Sequence, residues 1–271
     1  MKTDYARSLE AIIVWYCRLF KKKYFYFVLT SHELETNTKK LDHFVFEILR
    51  DDQVTFICQN EFQKNQVKRV IGSEKCHVIH NLFRVNPSNV PFETQNTEKF
   101  VLWIGRNEDS KNFQAWFRIC SNLPPEIKKT MICTFNAGNF VTYENMKEQV
   151  KNISNFILIK KDKYEDTQPY FKKALVLVNT SFYEGLPNTF IQASFEGIPI
   201  GTLFYDTDGM VSLSGCGFCS QGVEKKLAEF ISRLACDEKF LIERKENSRR
   251  LYLTKFDYTA NVNRLIHIMN H

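Results

Sequence analysis

The stretch that most constrains the fold is ALVLVNTSFYEGLPNTFIQASFEGIPIGT, Ala174 to Thr202. It opens on a short apolar run, Ala174 to Val178, with the length and β-branched content of a buried strand. A polar turn follows, Asn179 to Gly185. Pro187 stands where a first helical residue is expected, because the N–H it lacks has no partner there. The helix is expected to run to about Glu196 and to stop at Gly197, with Pro199 beyond it. Ile198 to Gly201 reads as the next strand. Such a strand–loop–helix–strand unit belongs to a parallel sheet, and those sheets bind ligands at the carboxyl ends of their strands. A helix starting near Pro187 aims the N–H groups of Asn188, Thr189 and Phe190 into that crevice. With the helix dipole they favour a phosphate, the dipole alone by about 0.3–2 kcal/mol. Glu184, before the helix, and Gln192, one turn inside it, are placed to hold hydroxyls. On the residues alone an ordinary βα unit with an exposed glutamate fits as well.

A second loop has matching chemistry. Phe100 to Ile104 reads as a strand that runs into Gly105-Arg106, with Lys111 ahead of a helix from Asn112 to Ser121. Gly105 allows a tight turn or a close approach to a ligand. Two cations and a helix end can neutralise a departing diphosphate without a metal. Each charge-assisted hydrogen bond is worth about 1.5–3 kcal/mol. Either cation alone reads as ordinary surface charge.

Glu184-Gly185-Leu186-Pro187-Asn188, then Gln192-Ala193 and Gly197-Ile198-Pro199, resembles the signature of the retaining GT-B glycosyltransferases of group 1, family 4. That signature has two glutamates seven residues apart, and Gln192 stands in place of the second. Gln keeps a carbonyl acceptor but loses the charge and gains donors, which bears on donor affinity and nucleotide preference rather than on fold. The resemblance implies an α/β GT-B fold, with two Rossmann-like domains facing a cleft and the N-terminal one incomplete. It implies that Gly105, Arg106 and Lys111 bind the leaving diphosphate, and that Glu184, Asn188, Thr189, Phe190 and Gln192 line the donor site. By the same resemblance His32, after the strand Tyr24 to Leu29, faces acceptor and donor sugar. No cofactor and no metal are implied, since the nucleotide-sugar is a co-substrate.

The rest of the chain fits that frame. Residues 5–20 pattern as an amphipathic helix, with Leu9, Ile12, Ile13, Tyr16, Leu19 and Phe20 at helical spacing. Leu41 to Leu49 reads as a helix, Val54 to Cys58 as a strand, Phe62 to Ile71 as a helix, and Cys76 to His80 as a strand. Arg84 to Glu98, with its prolines and asparagines, reads as a linker. The expected domains are 1–90, a partial acceptor-side unit; 91–252, the nucleotide-sugar unit; and 253–271, a helix crossing back. Further strands are expected at Thr130 to Phe135 and Phe156 to Ile159, and helices at Tyr143 to Lys151, Val223 to Ala235, Lys239 to Leu253 and Tyr258 to Met269. Family members open with βα units that have no counterpart before Tyr24, so an exposed sheet edge is expected, to be covered by a partner chain.

Composition narrows the partners. A net charge of +6 is spread along the chain with no arginine-rich block, which argues against nucleic acid. Lys21-Lys22-Lys23, between apolar runs, reads either as a contact with anionic lipid or as the solvated end of a helix. No signal-peptide pattern is seen, and the eight cysteines suit a reducing compartment. The cytoplasm, or the inner face of a membrane, is the expected location. Cys216-Gly-Phe-Cys219 lacks a second ligand pair for zinc, and Gly215 and Gly217 suggest a turn rather than a redox helix start. Asp206-Thr207-Asp208 has the form of a metal clamp, in a pattern that otherwise belongs to a metal-free fold.

Three functions stay open. The first is retaining transfer of a sugar from a nucleotide-diphosphate donor to a saccharide or lipid-linked acceptor. The second is a non-catalytic sugar-nucleotide-binding subunit that needs a partner chain. The third is a GT-B relative such as an epimerase or phosphorylase, although no lysine motif for pyridoxal phosphate stands out.

Overall fold

A computed structural model describes residues 4–28, 49–85, 100–135, 141–161 and 167–271, with residues 4–11 described as backbone only. The chain divides into two units. One holds Met1–Leu82, Glu184–Leu186 and Thr259–His271; the other holds Phe83–Tyr183 and Pro187–Tyr258. His32, most of the helix expected at Leu41 to Leu49 and most of the expected linker lie outside the described residues.

The first unit carries a parallel sheet in the order β1 (Tyr24–Phe27), β2 (Val54–Cys58), β3 (Cys76–Val78). β2 is buried along almost its whole length and reads in sequence as one apolar run. Helix α1 (Asp4–Leu19) precedes β1, and α2 (Glu61–Ile71) joins β2 to β3. Asn60 starts α2 by accepting the N–H of Gln63 at 2.8 Å, and Gln63 Oε1 accepts the N–H of Gln59 at 2.7 Å. The first bond satisfies a donor that the first turn would otherwise leave open, and the second ties the residue before the cap to the helix. The core gathers Val14, Val28, Val54, Phe56, Val67 and Ile71. The third strand is shorter than expected, because from Ile79 onward the chain turns into a polar loop in which His80 Nδ1 sits 2.8 Å from Gln59 O.

α1 forms where expected, but its apolar stripe does not face the core. Val14 and Cys17 point inward, whereas Ile12, Trp15, Tyr16, Leu19 and Phe20 are exposed. Periodicity locates a stripe; it does not say what covers it.

The second unit is a six-stranded parallel sheet in the order β6-β5-β4-β7-β8-β9. Its strands are β4 (Phe100–Arg106), β5 (Lys128–Thr134), β6 (Phe156–Lys160), β7 (Val176–Asn179), β8 (Ile200–Thr202) and β9 (Gly217–Cys219). The connecting helices are α3 (Phe113–Ser121), α4 (Tyr143–Val150), α5 (Gln168–Phe171), α6 (Asn188–Phe195) and α7 (Glu224–Cys236), followed by α8 (Glu238–Leu251). A π-helical turn, Tyr252–Phe256, leads to α9 (Tyr258–Asn270). β4 and β7 are buried because helices cover both faces, so they read as continuous apolar runs. One face packs Val101, Trp103, Met131 and Val178 against α3 and α7, with Leu227, Phe230, Ile231 and Leu234 of α7 turned inward as its spacing predicts. Ser248 of α8 donates to Ile198 O at 2.7 Å, fixing α8 near the start of β8.

One local expectation is corrected. Cys216 and Cys219 do not flank a free turn, since Gly217–Cys219 is the edge strand β9, paired to Ile200–Thr202. A Cβ on Gly217 would lie 1.8 Å from Ile200 O, so the glycine is there to let the strands close. Burial pushes the Cys216 thiol up to about 11, which leaves it protonated at neutral pH. Asp206 accepts the N–H of Val211 at 2.7 Å and that of Ser212 at 3.2 Å, so this carboxylate organises its own loop.

Candidate functional site

The strand order sets the place of the site. From β4 the chain winds outward through β5 and β6; from β7 it winds the other way through β8 and β9. β4 and β7 are neighbours, with Trp103 opposite Val178. Loops leaving their carboxyl ends therefore diverge to opposite sides of the sheet and leave a crevice, the usual ligand position in open α/β sheets. Both loops singled out in the sequence leave from these two strands.

The loops are tied together. Trp103 Nε1 donates to Thr180 Oγ1 at 3.0 Å, and Thr180 Oγ1 donates to Lys111 O at 2.7 Å. The N–H of Phe182 donates to Ser110 O at 3.0 Å. Ser181 N–H donates to Asn179 Oδ1 at 3.1 Å, an Asx turn that bends the chain off β7. The 3₁₀ turn that carries Lys111, Asp109–Lys111, is thus held from the neighbouring loop. Gly105 also has a steric cause within the strand. A Cβ there would come within 2.6 Å of the Trp103 indole, so the glycine makes room for that ring and for its bond to Thr180.

Arg106 ends β4 with an exposed guanidinium, whose Nη1 lies 3.0 Å from Glu108 Oε1. Its side chain is 54% exposed, and a pair this open contributes about 0–1 kcal/mol. A multiply charged ligand can therefore take the guanidinium at little cost. Lys111 is half-buried.

Helix α6 begins at Asn188, one residue later than expected. Pro187 is its N-cap, with φ −64° and ψ 125°. Its φ would suit a helix, but its ψ is extended. The N–H of Phe190 turns back to Pro187 O at 2.9 Å, so this amide of the expected three is already engaged. Thr189 and Phe190 are buried, and Asn188 is exposed. Gly197, at φ +66°, ends the helix as its type suggests, with Ile198 N–H donating to Ala193 O at 2.7 Å. Glu184 lies in the first unit with Gly185 and Leu186. In that unit Asn60 Nδ2 donates to Gly185 O at 3.1 Å and Asn81 Nδ2 to Leu186 O at 2.8 Å.

Gln192 is 4% exposed, and its Oε1 has no partner among the described residues. Its Nε2 donates to Gln168 Oε1 at 3.3 Å, and Gln168 Nε2 in turn donates to Glu196 Oε1 at 2.5 Å. The carboxyl of Glu196 thus orients Gln168, which orients Gln192 with its carbonyl left to accept. A buried acceptor without a partner is what a ligand hydroxyl satisfies. In Gln192→Glu a carboxylate would face the Gln168 carbonyl and add a second buried carboxyl beside Glu196. The variant is expected to lose about 1–3 kcal/mol of stability. Burial raises the new group's folded pKa above its unfolded value, so the loss should be small below about pH 4 and grow as the pH rises. Thermal melts at low and neutral pH check this, and an equal loss at both would contradict it.

Trp103, Thr180, Ser181 and Gln168 were not singled out in the sequence. Only Trp103 carried a signal, as a bulky ring two residues before a glycine on one face of a strand. No group of three or more His, Cys, Asp or Glu that could hold a metal occurs among the described residues.

Comparison with protein-family models finds no match, and comparison with curated proteins finds none. Solved structures do match. A point mutant of TarM from S. aureus, in complex with fondaparinux, α-GlcNAc-glycerol and UDP, superposes with a TM-score of 0.73 at 15% identity, over 92% of this chain and 51% of its own. HepE of Anabaena in complex with UDP gives 0.75 at 14% identity, over 97% of this chain and 76% of its own. WaaG, a glycosyltransferase involved in lipopolysaccharide biosynthesis, gives 0.68 at 12% identity, over 93% and 76%. The fold is that of the GT-B glycosyltransferases, built from Rossmann-like domains. The chain spans about half the length of TarM.

Proposed function

We propose that the protein transfers a sugar from a nucleotide-diphosphate donor to a saccharide or lipid-linked acceptor, with retention and without a metal. One observation carries this reading. The loop bearing Arg106 and Lys111 is hydrogen-bonded to the loop leading to α6, at the point where the sheet order reverses. A diphosphate there meets two cations and a helix start, the groups needed to stabilise a leaving group as its charge develops. The UDP bound in the TarM and HepE structures supports a nucleoside diphosphate as the ligand.

On this reading Arg106 and Lys111 take the phosphates, Asn188 and Thr189 the helix-end contacts, and Gln192 Oε1 a ribose hydroxyl. Glu184 and His32 act nearer the transferred sugar. In this account Gly105 and Phe190 shape the site through packing and backbone.

The test is turnover of labelled nucleotide-sugars with glycan and lipid extracts, with NMR of the product. A product of unchanged anomeric configuration is expected, at a rate indifferent to EDTA. An inverted linkage would overturn retention, and loss of activity with EDTA that divalent ions restore would overturn metal independence. Tight binding without turnover would replace transfer by the non-catalytic binding subunit.

A further inference from the structure

We propose that Phe182, Tyr183 and Phe204 form a stacking platform for the acceptor, and that the acceptor is a saccharide. The proposal rests on the transfer reading and adds the chemical class that meets these rings, a sugar rather than an alkyl chain. Phe182 and Tyr183 belong to the loop that leaves the carboxyl end of β7, and Phe204 follows β8. All three stand in the second unit, at the end of the sheet where the crevice opens. Their rings adjoin, with centroids 5.2 Å apart for Phe182 and Phe204 and 6.4 Å apart for Phe182 and Tyr183. Phe182 is 46% exposed, Tyr183 59% and Phe204 42%. Single apolar side chains at a surface need no explanation; three adjoining rings at the rim of a crevice are the pattern of a binding surface.

The backbone orders the rings in advance. The N–H of Phe182 donates to Ser110 O at 3.0 Å, and that of Leu203 donates to Asn179 O at 2.9 Å, so both ring-bearing loops are pinned to a neighbour. Thr202 Oγ1 accepts the N–H of Tyr205 at 3.1 Å and donates to Tyr205 O at 2.8 Å, which fixes the chain on either side of Phe204. Gly222 closes behind: its N–H donates to Leu203 O at 2.6 Å, and a Cβ there would lie 2.9 Å from the Phe204 ring. Rings held this way lose little freedom when a ligand covers them.

Area and chemistry select the occupant. Aromatic side chains carry about 150–250 Å² each, so three half-exposed ones offer roughly 200–400 Å². A stable protein interface takes about 800 Å² from each partner, which is too much for this patch. One or two pyranose rings fit it. A pyranose has an apolar C–H face for an aromatic ring and hydroxyls around its edge. Polar groups for that edge adjoin the platform: Tyr183 carries its own phenol, and Gln221, exposed, precedes the glycine behind Phe204. An alkyl chain would have no use for them.

The test is saturation-transfer NMR on the purified chain. The probes are maltotetraose, cellotetraose, chitotetraose and, below its micelle concentration, octyl glucoside. UDP binding is read by calorimetry on the same samples. Saturation is expected on the ring C–H protons of at least one tetrasaccharide and on the glucose ring of octyl glucoside. Phe182→Leu with Phe204→Leu stays apolar but removes two ring faces, and should weaken sugar binding by on the order of tenfold. Phe204→Tyr keeps the face and should bind as the parent does. UDP affinity and melting temperature are expected to hold in each variant, since these side chains are exposed. No saturation on any tetrasaccharide, or a Leu variant that binds sugars like the parent, overturns the proposal. So does an effect of the Leu variant confined to the octyl protons, which assigns the rings to an alkyl chain. A matching loss of UDP affinity would place the rings in the donor site, and a dimer that the Leu variant dissociates would assign them to a second copy; either overturns it. Failure of the parent to bind UDP would count against the transfer reading, while the sugar signals decide the platform by themselves.

Discussion

Replacing Arg106 or Lys111 with alanine is expected to lower kcat/KM for the nucleotide-sugar donor by about 10- to 150-fold each, the kinetic equivalent of one charge-assisted hydrogen bond. If both cations serve one diphosphate, the double variant should lose more than either single one. The division between constants is informative. If the two side chains act mainly as negative charge builds on the leaving group, kcat falls further than KM rises. The folded state of Arg106→Ala should hardly notice: the side chain is exposed and its pair with Glu108 is open to solvent, so the melting temperature of that variant is expected to stay near that of the parent. Steady-state kinetics with each variant, alongside thermal melts, check both statements. Unchanged kinetics would remove these residues from the site.

Trp103→Ala should have the largest effect on stability. The ring is nearly fully buried, in the core shared by β4, α3 and α7. Large-to-small changes of this kind cost about 3–5 kcal/mol. Turnover should fall as well, because the indole N–H holds Thr180, and Thr180 holds the backbone of Lys111. Trp103→Phe separates the two contributions. It keeps most of the apolar volume and removes the donor, so about 1 kcal/mol of stability is at stake while the tie between the loops is cut. A Phe variant with nearly native stability and reduced kcat would place Trp103 among the positioning residues. One with native kcat would make its role purely one of packing.

Much of this was legible in the sequence, for identifiable reasons. The unit from Val176 to Thr202 was readable because a buried parallel strand is a continuous apolar run, and because Gly197 and Pro199 mark its helix end. α7 was readable because Leu227, Phe230, Ile231 and Leu234 share a face that is in fact covered. α1 shows the opposite case, where equally regular spacing belongs to a face left in water. Pro187 misled by one residue because its fixed φ suits both a cap and a first turn, and only ψ tells them apart. Gly105 was legible only in part, because a missing Cβ records that space is needed without recording for what; one neighbour in that space is a ring two residues earlier in the same strand. The latch through Thr180 and the amide chain from Glu196 to Gln192 could not be read at all. Each joins residues distant in sequence through side chains that any loop or helix can carry.

The most direct test of the account is calorimetric titration of UDP, the nucleotide held by TarM and HepE, into the parent chain and into the Arg106→Ala, Lys111→Ala double variant. Saturable binding to the parent and a loss of about 100-fold or more in the variant are expected, from two charge-assisted bonds. Equal affinity for both proteins would contradict it, because the diphosphate would then lie away from the reversal point between β4 and β7.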